Sequence, residues 1–83
     1  MNTEEIVKAY EDDLLKKVKL NINGFGSNIA DPDVISIYVN YPEDEDERIR
    51  FYTVAATLSN QYFDKYKVMI TPVAGEPSPA QNL

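Results

Sequence analysis

Val34-Ile35-Ser36-Ile37-Tyr38-Val39-Asn40-Tyr41-Pro42-Glu43-Asp44-Glu45-Asp46-Glu47-Arg48-Ile49-Arg50-Phe51-Tyr52 changes its hydrophobic period halfway along, and that change decides the fold class. Ile35, Ile37, Val39 and Tyr41 alternate with Val34, Ser36, Tyr38 and Asn40, the period-two pattern of a strand. Pro42 has no N–H to give a ladder and ends it. Beyond Pro42 the period lengthens, and the spacing predicts a helix over about 45–62. Ile49, Tyr52, Ala56 and Phe63 share one stripe of that helix, and Phe51, Ala55, Leu58 and Tyr62 share an adjacent one. Together they sweep more than half the circumference, wider than a helix lying on one small sheet needs. Either a second helix packs on its flank, or part of that arc meets another molecule.

The run Glu43, Asp44, Glu45, Asp46 and Glu47 sits where that helix begins. Carboxylates at a helix N-terminus are stabilised by its dipole at about 0.3–1 kcal/mol each, before mutual repulsion is counted. The run is read first as a helix start and second as a charged contact surface.

Upstream, Asn2 is placed to cap a helix over about 3–16, with Glu5 three residues on. Ile6, Tyr10, Leu14 and Val18 follow at i+4 spacing. Val18, Leu20 and Ile22 then alternate with Lys19, Asn21 and Asn23, a strand over about 18–23. A loop is expected over about 24–32, closed by Asp31-Pro32. Downstream, a last strand over about 65–72 puts Tyr66, Val68 and Ile70 on one face and Lys67, Met69 and Thr71 on the other, with Pro72 near its end. Residues 74–83 are rich in Pro and small polar residues and are expected to be a disordered tail, leaving 1–73 as the single domain.

The order α-β-β-α-β points to a small α+β two-layer sandwich, a three-stranded mixed sheet with both helices on one face. The first two strands should be antiparallel neighbours, and the second helix should cross over to the third. The expected core takes Ile6, Tyr10 and Leu14 from the first helix and Ile49, Tyr52, Ala56 and Phe63 from the second. The strands contribute Leu20, Ile22, Ile35, Ile37, Val39, Val68 and Ile70.

Composition narrows function more than it defines it. The 83 residues carry 8 basic and 14 acidic side chains, a net charge of −6, with no Cys and no His. Disulfides, thiol chemistry, Cys-based zinc sites and the usual neutral-pH general base are all absent. No cofactor, metal ligand set or catalytic residue is expected. The acidic balance disfavours broad attraction to nucleic acid or anionic lipid. No apolar run approaches the roughly 20 residues of a membrane span, and the polar N-terminus has no signal-peptide pattern, so a cytoplasmic location is expected.

The element order is similar to that of several small modules, the BON domain among them, although the glycine pattern of that family is not in this sequence. Gly26-Ser27 followed by Asp31-Pro32-Asp33 slightly resembles the nucleotidyltransferase signature. That resemblance implies Mg²⁺ held by Asp31 and Asp33 in a degenerate nucleotidyltransferase-like domain. The spacer is shorter than the family's, and no third carboxylate lies on the last strand.

The leading expectation is a non-catalytic acidic protein–protein interaction module, regulatory or inhibitory, with homodimerisation as one form of it. Six tyrosines and three phenylalanines exceed what so small a core needs. Phe51, Leu58 and Tyr62 are the expected interface anchors, and Glu43, Asp44, Glu45 and Asp46 the expected acidic contact, by which an inhibitor would imitate nucleic-acid charge. Tyr38 and Lys67 are expected on the open sheet face. From that face comes the alternative of a weak single-stranded nucleic-acid binder, which stacks bases on an exposed aromatic.

Overall fold

Side-chain caps start both helices. The N–H of Glu5 donates to Asn2 Oδ1 at 2.9 Å, opening α1 (Thr3–Leu15). The N–H of Glu47 donates to Asp44 Oδ2 at 3.0 Å, opening α2 (Glu45–Tyr66) with Glu45, Asp46 and Glu47 in its first turn. The acidic run thus forms the start of α2, where the dipole favours it. The computed structural model describes residues 2–27 and 30–77, and its strands are β1 (Asn21–Ser27), β2 (Val34–Asn40) and β3 (Met69–Ala74).

The sheet order is β1-β2-β3, with β1 antiparallel and β3 parallel to β2. This is the α-β-β-α-β mixed sheet that the periodicities predict, with α2 as the crossover a parallel pair requires. The boundaries of β1, α2 and β3 differ from those expected, and β1 starts at Asn21 where about 18 was expected. α2 continues to Tyr66 and is closed by Lys67 in the left-handed conformation (φ 60°), whose N–H donates to Phe63 O. Lys67 therefore caps a helix and does not lie on the sheet, and β3 begins only at Met69. The expected loop from residue 24 is also displaced, because β1 runs through Phe25 and Gly26 to Ser27.

A bulge interrupts the alternation of β1. The register shifts between Ile22 and Gly24, so Asn23 is the extra residue and the alternation changes phase there. Ile22 and Phe25 both pack against the core, while Gly24 and Gly26 stand opposite Tyr38 and Ser36 on the other face. Gly24 has φ 143°, which only glycine adopts readily.

The open face is partly roofed by the chain itself. The Gly75 N–H donates to Val39 O, and Asn23 Nδ2 donates to both Gly75 O (2.8 Å) and Asn40 Oδ1 (3.1 Å). The chain thus turns across the end of β2 toward β1, where a Cβ on Gly24 would sit 3.1 Å from Pro77 Cγ. The Tyr38 ring lies beside Gly26 and retains only 7% exposure. Of the expected tail, Ala74 ends β3 and residues 75–77 fold back in this way, while residues 78–83 lie outside the described residues.

The core is built from Ile6, Val7, Tyr10 and Leu14 of α1, Ile35, Ile37 and Val39 of β2, and Ile70 of β3, with Val18 beneath them. From α2 it takes Phe51, Ala55, Leu58 and Tyr62. The expectation for α2 is therefore reversed: Ile49, Tyr52, Ala56 and Phe63 are exposed. Leu20, Ile22 and Val68 are only partly buried. The rotation of α2 follows from α1. Tyr62 Oη donates to Asp13 Oδ2 at 2.7 Å, and its ring meets Tyr10 edge-on at 5.4 Å. Arg50 Nε also donates to Lys17 O at 2.9 Å, just beyond the end of α1.

The two stripes of α2 should separate cleanly in stability. Phe51→Ala should cost about 3–5 kcal/mol, close to the whole stability expected of so small a domain. Ile49→Ala should change it by no more than about 0.5 kcal/mol. Urea unfolding followed by circular dichroism measures both, and equal losses would contradict the helix rotation described.

Candidate docking surface on the second helix

Among the described residues, four of the five large exposed apolar side chains fall on one surface: Ile49 at 57%, Tyr52 at 50%, Phe63 at 44% and Met69 at 48% exposure. At 100° per residue, Tyr52, Phe63, Ala56, Ile49 and Asn60 span an arc of about 80° on α2. It lies about 130° around the helix from the buried stripe. α1 packs on the other flank and leaves this arc uncovered. Between it and β3 runs an open groove of ≈ 350 Å³, lined by Tyr52, Ala56, Ser59, Phe63, Met69 and Pro72 among others.

The floor of the groove is fixed by a polar chain. Ser59 Oγ donates to Ile70 O at 2.7 Å, tying α2 to β3. With that proton committed, the Tyr10 Oη proton is shared between Ala55 O and Ser59 Oγ, both at 3.1 Å. The upper wall is aromatic. Tyr52 lies 5.5 Å from Phe51 and 5.6 Å from Tyr41, ring centre to ring centre. At the lower end, Lys67 Nζ sits 5.9 Å from the centre of the Phe63 ring, a cation–π contact.

The free edge of β3 is poorly suited to adding a strand. Met69 and Gly75 turn their N–H groups inward, to Asp33 O and Val39 O. Alternation along a strand then points Ile70, Pro72 and Ala74 outward. Pro72 has no N–H to offer, and the Ile70 carbonyl is already occupied by Ser59. The accessible feature of this side is the apolar face of α2.

The expected site residues are scattered. Phe51, Leu58 and Tyr62 are core residues and present no surface to a partner, because α1 draws their stripe inward. Tyr38 is buried on the open face and Lys67 lies at the end of α2, so the stacking platform for single-stranded nucleic acid is not assembled. Glu43, Asp44, Glu45 and Asp46 are exposed at the start of α2. Asp31 Oδ1 accepts the N–H of Asp33 at 3.2 Å, a local turn. Among the described residues no group of three or more His, Cys, Asp or Glu side chains converges.

A signal for the exposed stripe was present in the sequence. From Leu58 through Phe51 and Tyr62 to Ala55, the helix wheel carries no polar residue. The arc of Tyr52, Phe63, Ala56 and Ile49 includes Glu45 and Asn60.

Comparison with protein-family models, with curated proteins and with solved structures returns no match. Among the described residues no helix is long and apolar enough to cross a membrane.

Three phenols, Tyr10 and Tyr62 in the core and Tyr41 against Tyr52, are held neutral. Burial raises Tyr10 above its ordinary value of 10.0. Burial also raises Tyr41, with the charge and hydrogen bond of Tyr52 adding to it. Tyr62 is raised furthest, by burial first and then by its hydrogen bond to Asp13. A raised phenol contributes stability that is fully present below the unfolded value and lost as pH climbs through the folded one. The melting temperature should therefore hold up to about pH 10 and fall steeply above it, with Tyr62→Phe flattening the fall. Thermal melts across that range, with phenolate absorbance recorded alongside, test this. A flat profile beyond the ordinary tyrosine range would contradict it.

Proposed function

We propose that this protein is a non-catalytic interaction module of the cytoplasm that regulates or inhibits a protein by docking the exposed face of α2 against it. The observation that carries this reading is the concentration of Ile49, Tyr52, Phe63 and Met69 on one surface beside a groove. Single exposed apolar residues are ordinary on any protein, but a contiguous patch rimmed by polar groups marks an interaction site. Tyrosine and phenylalanine at its centre are the side chains favoured as anchors, since each buries a large area at a low cost in side-chain entropy.

The surroundings fit a protein partner better than a small substrate. The groove is open, its polar members Ser59, Asn60 and Thr71 are few, and Ser59 is engaged in holding α2 to β3. Neither His nor Cys is available for general-base or nucleophilic work. The carboxylates at the start of α2 stand at one end of the apolar stripe, where they add charge selectivity at the rim.

The test is a photo-crosslinking amino acid placed at position 63, with the same probe at position 8 on α1 as a control. Ultraviolet irradiation in cells should yield a discrete protein adduct from position 63, absent from position 8 and lost when Ile49→Asp is added. Absence of any adduct from position 63, to this protein or another, would overturn the interaction module.

A further inference from the structure

We propose that the occupant of this surface is a second copy of the chain, with α2 packed antiparallel on its counterpart about a two-fold axis through Ala56. The inference rests on the interaction reading above and adds the identity of the partner.

The exposed stripe is self-complementary about Ala56. Ile49 and Phe63 lie seven residues to either side of it, and Tyr52 and Asn60 lie four. In an antiparallel pair crossing at Ala56, residues equidistant from the crossing face one another. Ala56 then meets Ala56 of the second copy, Tyr52 lies against its Asn60, and Ile49 packs on its Phe63. The small residue sits where the helices approach closest, and the large ones fill the space on either side, as close helix pairing requires.

The charges obey the same symmetry. Glu45 and Lys67 each lie eleven residues from Ala56. Glu45 is 18 residues from Phe63, five helical turns, and so lies on the line of the stripe at its N-terminal end. Lys67 reaches the other end, its ammonium over the Phe63 ring at 5.9 Å. A two-fold axis brings Glu45 of each copy to Lys67 of the other, twice per dimer. One copy presents an acid, an apolar centre and a base in that order, and its antiparallel twin presents the matching order.

Strand addition is the competing route to self-association, and the β3 edge opposes it. Pro72 offers no N–H, and Ser59 occupies the Ile70 carbonyl. Helix pairing leaves both features undisturbed. It also spans a long contact, since Ile49 to Phe63 covers about 21 Å of helix.

The absence of cysteine supplies a direct test. Ala56→Cys places one thiol on the axis, where the two copies meet, and Lys8→Cys places one on α1 away from it. Under mild oxidation A56C should convert to a disulfide-linked dimer and K8C should remain single. Light scattering of the unmodified protein should show a concentration-dependent rise toward twice the chain mass. Glu45→Lys alone and Lys67→Glu alone should each lower the association constant about tenfold, and the double variant E45K/K67E should recover most of that loss. Circular dichroism of every variant checks that α2 is retained. A merely structural role for the two charges would make the double variant worse than either single one.

A monomer at all concentrations, with A56C crosslinking no faster than K8C, would overturn the second copy as occupant. If the probe at position 63 then captured a different protein, the interaction module would stand and only its partner would change. If position 63 captured nothing, both would fall.

Discussion

The contact between α1 and α2 sets the rotation of α2 about its own axis, and the rest of the molecule's surface follows from that rotation. Hydrophobicity alone does not choose between the stripes of α2. Burying a Phe or Leu is worth about 1.5–3 kcal/mol, and both stripes carry side chains of that size. Hydrogen bonding breaks the tie. The Tyr10 hydroxyl lies in the interior and meets Ala55 O and Ser59 Oγ, Ser59 holds Ile70, and Tyr62 reaches Asp13. Turning α2 by about 130° would separate all of these pairs. A buried hydroxyl without a partner costs about 1–3 kcal/mol, so losing two or three exceeds any difference between the stripes.

Once α2 is set, most of the large apolar surface left over among the described residues lies on one side. A three-stranded sheet with helices on one face has a second face to manage, and this chain manages it locally. The bulge at Asn23 turns Gly24 and Gly26 to that face, Tyr38 lies beside Gly26, and Gly75 to Pro77 turn back over Gly24. Asn23 holds the turn through Gly75 O. The surplus that remains is carried by α2 and the start of β3. It therefore has a definite direction, away from α1 and past the edge of the sheet.

The fold was legible where one period ruled a segment. β2 and the start of α2 declared themselves through an uninterrupted change from alternation to helical spacing, and Asn2 and Asp44 cap the helices where short polar side chains belong. Legibility failed where a local irregularity altered the phase. A bulge in β1 placed Phe25, expected in a loop, against the core. Lys67 in the left-handed region let α2 run four residues past its expected end and delayed β3. The candidate surface was half legible. The excess of apolar area on α2 was plain from the helix wheel. Which half of it faced solvent was marked within α2 only by the placing of Glu45 and Asn60, and was set by Tyr10 and Asp13, some 50 positions earlier in the chain.

Net charge is the natural objection to self-association, since each copy carries −6. Treated as point charges roughly 20 Å apart in water, two such copies repel by about 7 kcal/mol without salt. At physiological ionic strength the screening length is about 8 Å, which reduces that repulsion to below about 1 kcal/mol. Apolar burial by Ile49, Tyr52 and Phe63 from each of two copies exceeds this several-fold at about 25 cal/mol per Å², before the entropy of association is counted. The charge then acts as a filter on geometry. It leaves the antiparallel arrangement favoured, because that one sets Glu45 against Lys67. A parallel arrangement would stack the acidic starts of two α2 helices together. An isologous contact of this kind also closes on itself after two copies, and growth through β3 is opposed by Pro72 and by the serine that holds Ile70.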